Sequence, residues 1–147
     1  MDKKMENFIL DLLKNHNILT IATIREDGYP QANTVTYASD GFIIYFLTGP
    51  NTQKVKNIKR SNKVSLTIDR NYNDWNKIKG LSMAATCEVL TNTYEKQKAM
   101  DCLTEKFPAL KKTSKSNELM ALVKITPKII SVLNYELGFG HKDIVEL

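Results

Sequence analysis

The sequence predicts a mainly β (α+β) domain, a small antiparallel barrel with helices at its margins. Three observations predict it. Short runs of β-branched and aromatic residues recur along the chain, as in "ILTIATI" and "FIIYFLT". Tight turn signals join them, at Asp27-Gly28 before Pro30 and at Ser39 to Gly41. No linker, repeat or low-complexity stretch interrupts them, so residues 1–147 read as a single domain. Closing such strands into a barrel removes their exposed edges. An open α+β sandwich is the alternative.

In chain order, Phe8, Ile9, Leu12 and Leu13 recur at helical spacing, which predicts an amphipathic helix from Asp2 to Asn15. His16 follows and caps its C-terminal end. "NILTIATIRE", "QANTVTYA" and "FIIYFLT" form an antiparallel meander. Gly49-Pro50 stops the third strand, and Asn51 or Thr52 caps a short helix whose buried side carries Val55 and Ile58. "KVSLTID" is a fourth strand, "RNYNDWNKIK" a polar loop and "GLSMAATCEVL" a fifth strand. "TYEKQKAMDCLTEKF" is a long helix that Pro108 stops, and "LKKTSKSNE" a surface loop. "LMALVKITPKIISVLNY" is strand again, with Pro127 marking an edge or a bulge. "ELGFGHKDIVEL" reads as a glycine-punctuated tail. The apolar "FIIYFL" strand exceeds what one small core needs, so an isologous dimer is expected to cover its second face.

The totals are those of a globular protein, 42% hydrophobic and 25% charged, with a formal charge of +5 that favours anionic ligands. No apolar run reaches the roughly 20 residues that span a bilayer. Acids and lysines interrupt "MDKKMENFILDLLKN", so it is not read as an export signal; the expected location is cytoplasmic, with Cys87 and Cys102 free thiols. Two isolated cysteines and two distant histidines support no metal site. No hydrolase, P-loop or dinucleotide fingerprint is present. Nucleic acid and membrane are not expected partners, because basic residues do not interleave with aromatics on one strand face.

Four places carry candidate chemistry. "TGPNTQK" offers a helix start, the Thr52 hydroxyl and Lys54, the components of a phosphate site; the plain alternative is a solvated helix face. Lys79 and Gly80 open a strand, where a ligand can approach the backbone, or where a strand simply begins. Trp75, the single tryptophan, is a stacking surface for a flat ligand or is half-buried against a strand. His141, in "GFGH", can act in proton transfer or sit in solvent.

The order of these motifs resembles the pyridoxamine 5'-phosphate oxidase-like, FMN-binding split-barrel proteins. The residues that carry it are "ATI", "DGYP", a strand ending at Thr48, the Thr52-x-Lys54 helix start followed by "NI", "VSL", and the glycine-opened strand "KGLSMAATCEVL". The likeness runs on to "SVLNYELGFGHKDIVEL" and so covers nearly the whole chain. It implies a six-stranded antiparallel split β-barrel with flanking helices, a homodimer, and FMN at the dimer interface. It places Asn33, Thr34, Val35 and Thr36 beside the flavin and Thr48 near the ribityl chain. Thr52, Gln53 and Lys54 hold the phosphate, which carries about −1.5 to −2 charges. Lys79, Gly80 and Leu81 approach from the partner subunit, and Trp75 and Phe139 complete the cofactor contacts. His141 is the catalytic candidate, with Tyr135 behind it.

This chain departs from the B6 oxidases of that family. They carry arginine where Asn33 and Gln53 stand, lysine where Ala38 stands, and arginine and histidine contacts near "GFGH". The implied function is therefore a flavin-dependent oxidoreductase of the nitroimidazole-resistance-like or general-stress-like branch. Its substrate is a small molecule not specified by the sequence. A non-catalytic flavin-binding sensor and a haem-binding relative are the alternatives.

Overall fold

The computed structural model describes residues 1–113 and 119–147; the last part of "LKKTSKSNE", residues 114–118, lies outside the described residues. Helix α1 (Lys3–Asn15) starts at Asp2, whose carboxylate accepts from the Met5 N–H at 2.8 Å. It ends at His16, whose Nδ1–H donates to the Leu12 carbonyl, as its position after the helix predicts. Strands β1 (Ile18–Ile24), β2 (Pro30–Asp40) and β3 (Ile43–Thr48) form the expected meander. Helix α2 (Gln53–Arg60) leads to β4 (Lys63–Ile68), which crosses over to pair with β1. Then follow β5 (Lys79–Val89), α3 (Thr93–Lys106), β6 (Ala121–Asn134) and β7 (Lys142–Glu146).

The strand order is β3-β2-β1-β4-β5-β6-β7, and β3 also pairs with β6. That last pairing closes six antiparallel strands into the split barrel; β7 is an additional strand outside it. The closure needs β6 to serve two partners. Its first half pairs with β3, from Ile44↔Ile125 to Thr48↔Ala121, and its second half with β7, from Ile129↔Glu146 to Leu133↔Lys142. Between them the register against β5 shifts, Ala84 opposing Ile129 and Ala85 opposing Pro127. Pro127, which cannot donate to a ladder, therefore sits at a bulge, one of the two places its sequence position allows.

Inward residues of every strand fill the barrel: Leu19, Ile21, Tyr37, Phe46, Leu66, Met83, Ile125 and Val132 are buried in one cluster with Ile9 and Leu13 of α1. The helices stop its ends. At the end where β1 begins, the Tyr37 hydroxyl donates to the Leu13 carbonyl at 2.7 Å, and Lys106 lies over the Tyr37 ring at 4.3 Å. At the other end α2 packs Val55, Asn57 and Ile58 inward.

Two expectations are corrected. The "FIIYFL" strand needs no second subunit: Ile44 and Phe46 face the barrel interior, while Tyr45, with Ala38 and Leu122, is buried beneath Ala99 and Leu103 of α3. And "KDIVE", read as part of a tail, is β7; its length and charged residues give too weak an alternation to declare a strand.

Burial pushes the Cys87 thiol up to about 12 and raises the Tyr37 phenol as well. Both groups ionise first in the unfolded chain. The Cys87 contribution is therefore whole below the ordinary thiol pKa of 9.0 and is lost as pH rises through the folded value of about 12; that of Tyr37 is whole below 10.0 and is lost at higher pH. The urea midpoint is expected to fall progressively from about pH 9 to 11, and Cys87→Ala to make that fall shallower. Identical slopes in the two proteins would contradict the assignment.

Candidate functional site

At the first turn of α2 the chain leaves its backbone N–H groups uncapped. Thr52 occupies the cap position but makes no capping hydrogen bond; its hydroxyl instead donates to the Gly49 carbonyl at 3.1 Å. The longer helices differ. Asp2 caps α1 and Asn92 caps α3, and each has a glutamate in its first turn, Glu6 and Glu95. α2 has no acid there. Lys54 is half-buried in the same turn and forms no ion pair with any described residue. An uncapped turn with a nearby uncompensated cation is an arrangement that favours an anion. Of the other basic residues, Lys56 and Lys59 are exposed, while Arg60 donates to the Ile24 carbonyl and so ties α2 to β1.

Below that turn lies a polar network that sequence reasoning missed. Asn57 is 1% exposed. Its amide donates to Thr23 Oγ1 at 2.9 Å and to Gln31 Oε1 at 3.1 Å, and its carbonyl accepts from Gln53 Nε2 at 2.9 Å. Gln53, expected at the phosphate, thus points an amide N–H back along the helix. The available signal was an asparagine beside Ile58 on the apolar side of a short helix.

The pleat sorts the β2 candidates. Gln31, Asn33 and Val35 are half-buried and alternate with exposed Ala32, Thr34 and Thr36. Thr34 and Thr36 therefore present side chains outward, whereas Asn33 and Val35 can offer an outer ligand only their backbone. The Asn33 side-chain amide oxygen, Oδ1, is buried without a partner among the described residues. Thr48, 6% exposed, closes β3.

The remaining candidates gather at the opposite end. Lys79 pairs with Glu136 at 2.8 Å. Gly80 is buried, and a Cβ there would meet the Ile68 carbonyl oxygen at 3.2 Å, so strand crowding by itself accounts for the glycine. Leu81 points into the core at 2% exposure. Trp75 is 69% exposed rather than half-buried against a strand, on a 3-10 turn (Trp75–Lys77). It stacks on Phe139 at 6.3 Å, and Phe139 tilts against Tyr135 at 5.2 Å. The His141 Nε2–H donates to Asp143 Oδ2 at 2.9 Å.

Within the chain these two groups do not meet. Lys63, just past α2, opposes Thr86, and Gly80 lies six positions earlier on β5 (86 − 80). At about 3.3 Å per residue the separation is roughly 20 Å. No described element covers the outer surface between them. Register places Thr34, Thr20, Thr67, Ser82 and Ser131 in one row across it. Ile18, Ile24 and Ile129 are 51%, 43% and 42% exposed on the same face. Beside them runs a groove of about 530 Å³ lined by Ala22, Ile24, Ser65, Ala84, Thr86 and Ile129, among others.

Comparison with known proteins places this geometry. A family model described as pyridoxamine 5'-phosphate oxidase matches residues 5–134. No curated protein matches the chain. Among solved structures, the conserved hypothetical protein Rv2991 of Mycobacterium tuberculosis superposes with a TM-score of 0.80 at 19% identity, over 99% of this chain and 92% of that one. A Clostridium acetobutylicum protein related to general stress protein 26 of B. subtilis gives 0.74 at 20% identity, over 100% and 97%. A haem-binding protein of Mycobacterium smegmatis gives 0.76 at 18% identity; it covers 96% of this chain, which spans 56% of its length. At these identities the structures share the fold.

Proposed function

The chain belongs to the pyridoxamine 5'-phosphate oxidase family, and from that premise we propose that it binds FMN and acts as a flavin-dependent oxidoreductase on a small molecule. The observation that carries this reading is the first turn of α2, which its cap residue leaves without a side-chain hydrogen bond, with Lys54 in no ion pair among the described residues. It suits the phosphate of FMN, where a fixed cation and oriented N–H groups offset the loss of water. When bound, the flavin supplies hydride or electron transfer. The chain supplies the rest: Thr34 and Thr36 offer hydroxyls on the outer face of β2, and Trp75 and Phe139 offer stacking surface. His141, oriented by Asp143, is the candidate proton donor. Oxidation of pyridoxamine phosphate is not part of the proposal. Asn33 and Gln53 stand where that activity has arginine, and Ala38, where it has lysine, is buried beneath α3.

A homodimer joins the two halves of the site. Isologous packing on the uncovered face of β1, β4 and β5 reverses one subunit on the other, so the Lys79 and Trp75 end of one chain faces the α2 end of its partner. Small hydroxyl and alanine side chains make that face flat, and its isoleucines supply apolar contact. A second reading, haem binding, draws on the likeness to the M. smegmatis protein and on His141. Ligation through Nε2 would first break its hydrogen bond to Asp143, which favours the flavin.

The decisive measurement is the spectrum of the purified or titrated protein. Flavin maxima with FMN released on denaturation support the reading, and a Soret band on haem titration without FMN binding replaces it. Lys54→Ala should weaken FMN by about 1.5–3 kcal/mol, the range for a charged hydrogen bond, and leave riboflavin unchanged. Lys56→Ala is the control, and equal losses in both would mean general electrostatics. His141→Ala should leave FMN affinity within about 0.5 kcal/mol and slow turnover of a nitroaromatic or quinone acceptor by about 10²–10⁴-fold if it moves a proton. Unchanged turnover would remove it from the mechanism. Sedimentation at micromolar concentration should give a dimer; a stable FMN-bound monomer would refute the interface.

A further inference from the structure

We propose that Asn57 is the positioning residue of the anion-binding turn: by anchoring α2 to the barrel rim it sets the preference for a phosphorylated flavin. The inference rests on the flavin-phosphate reading above and adds to it a residue that touches no ligand. Asn57 lies one helical turn after Gln53, on the buried side of α2. Both of its amide protons and its carbonyl oxygen are used, on three partners from three elements. Thr23 is itself 1% exposed at the end of β1, and Gln31 stands at the start of β2. These bonds fix how far the first turn stands from the strand ends, and how it is rotated about the helix axis. A leucine-like side chain would fill the same space but specify neither, and would leave Thr23, Gln31 and Gln53 short of a partner. A site that recognises phosphate through short directional bonds loses affinity when its donors are displaced by a fraction of an ångström. Apolar or stacking contacts elsewhere tolerate the same shift.

The test compares FMN and riboflavin binding by fluorescence quenching in wild type, Asn57→Leu and Thr23→Val. The FMN Kd should rise about tenfold to a hundredfold in Asn57→Leu, with riboflavin changing by less than about threefold. Thr23→Val, isosteric and on another element, should move the same ratio in the same direction by less, and it keeps the test open if Asn57→Leu does not fold. Combining Asn57→Leu with Lys54→Ala should cost less than the product of the two, because both act through one turn. Parallel loss of both flavins, or an unchanged FMN-to-riboflavin ratio in folded variants, would overturn the positioning role and reduce Asn57 to fold maintenance. A wild type that binds FMN no better than riboflavin would sink the phosphate reading itself. A flavin-free readout separates the two failures: in the unliganded protein the Asn57 side-chain amide protons should exchange slowly by NMR. Fast exchange there overturns the anchor whatever the flavin does.

Discussion

The double duty of β6 governs the molecule. One strand pairs with β5 along its length, with β3 over its first half and with β7 over its second. A regular fourteen-residue strand would carry its pleat through unchanged. The irregularity at Pro127 and Lys128 resets it, so that Ile125 before the bulge and Ile130 and Val132 after it all point into the barrel. Without the reset, the second half would turn Ile129 and Ser131 inward and leave the interior underfilled. Barrel closure, and with it the absence of a free edge on β3, depends on this single misstep in the ladder.

Closure then divides the outer surface. Where β3 meets the first half of β6, the outward residues include Tyr45 and Leu122, and α3 lies across them. Where β1, β4 and β5 run side by side, the outward residues are mostly threonine, serine and alanine, with Ile18 and Ile24 among them, and no described element lies across them. The uncovered half lies between the end of the barrel that carries α2 and the end that carries Trp75 and Phe139. A ligand with a charged end and a flat end matches that pair of features only if a second subunit brings them together. The reason to expect a dimer is thus the division of one site between two ends of a barrel, rather than the apolar strand that first suggested it.

Most of the fold was legible because local signals agreed with the global one. Turns at Gly28 and Gly41 adopt positive φ, which explains the glycines there, and the meander follows from their spacing. Pro127 marked an edge or a bulge, and the register shows the bulge. β7 was illegible because "KDIVE" is short and charged at both ends. The double burial of β3 could be seen as an apolar run but not assigned, since periodicity cannot say whether a helix or a subunit covers the second face. In the site, Lys54 and the helix start were readable from type and spacing. The pairing of Lys79 with Glu136 depends on the register that sets Lys79 opposite Asn134, which no local pattern encodes, whereas His141 and Asp143 are two residues apart and their contact needed only the turn before β7. Asn57 was hidden for the opposite reason: its partners lie 34 and 26 residues away, on strands that look ordinary.

The α2 end also shows why charge alone is a poor guide to this surface. Lys54, Lys56, Lys59 and Arg60 are consecutive enough to look like one basic patch. Folding gives them three different surroundings. Two lysines stay in solvent, where water screens them and an anion gains little. Arg60 is spent on the Ile24 carbonyl, a structural tie. Only Lys54 is half-buried beside N–H groups that the protein leaves uncapped, where the local dielectric strengthens an added charge pair. The neighbouring threonine hydroxyl, which could have capped the turn, is turned away to Gly49, and the neighbouring glutamine is turned back to Asn57. Each of these side chains satisfies itself within the protein, and what is left open is the helix start and one cation.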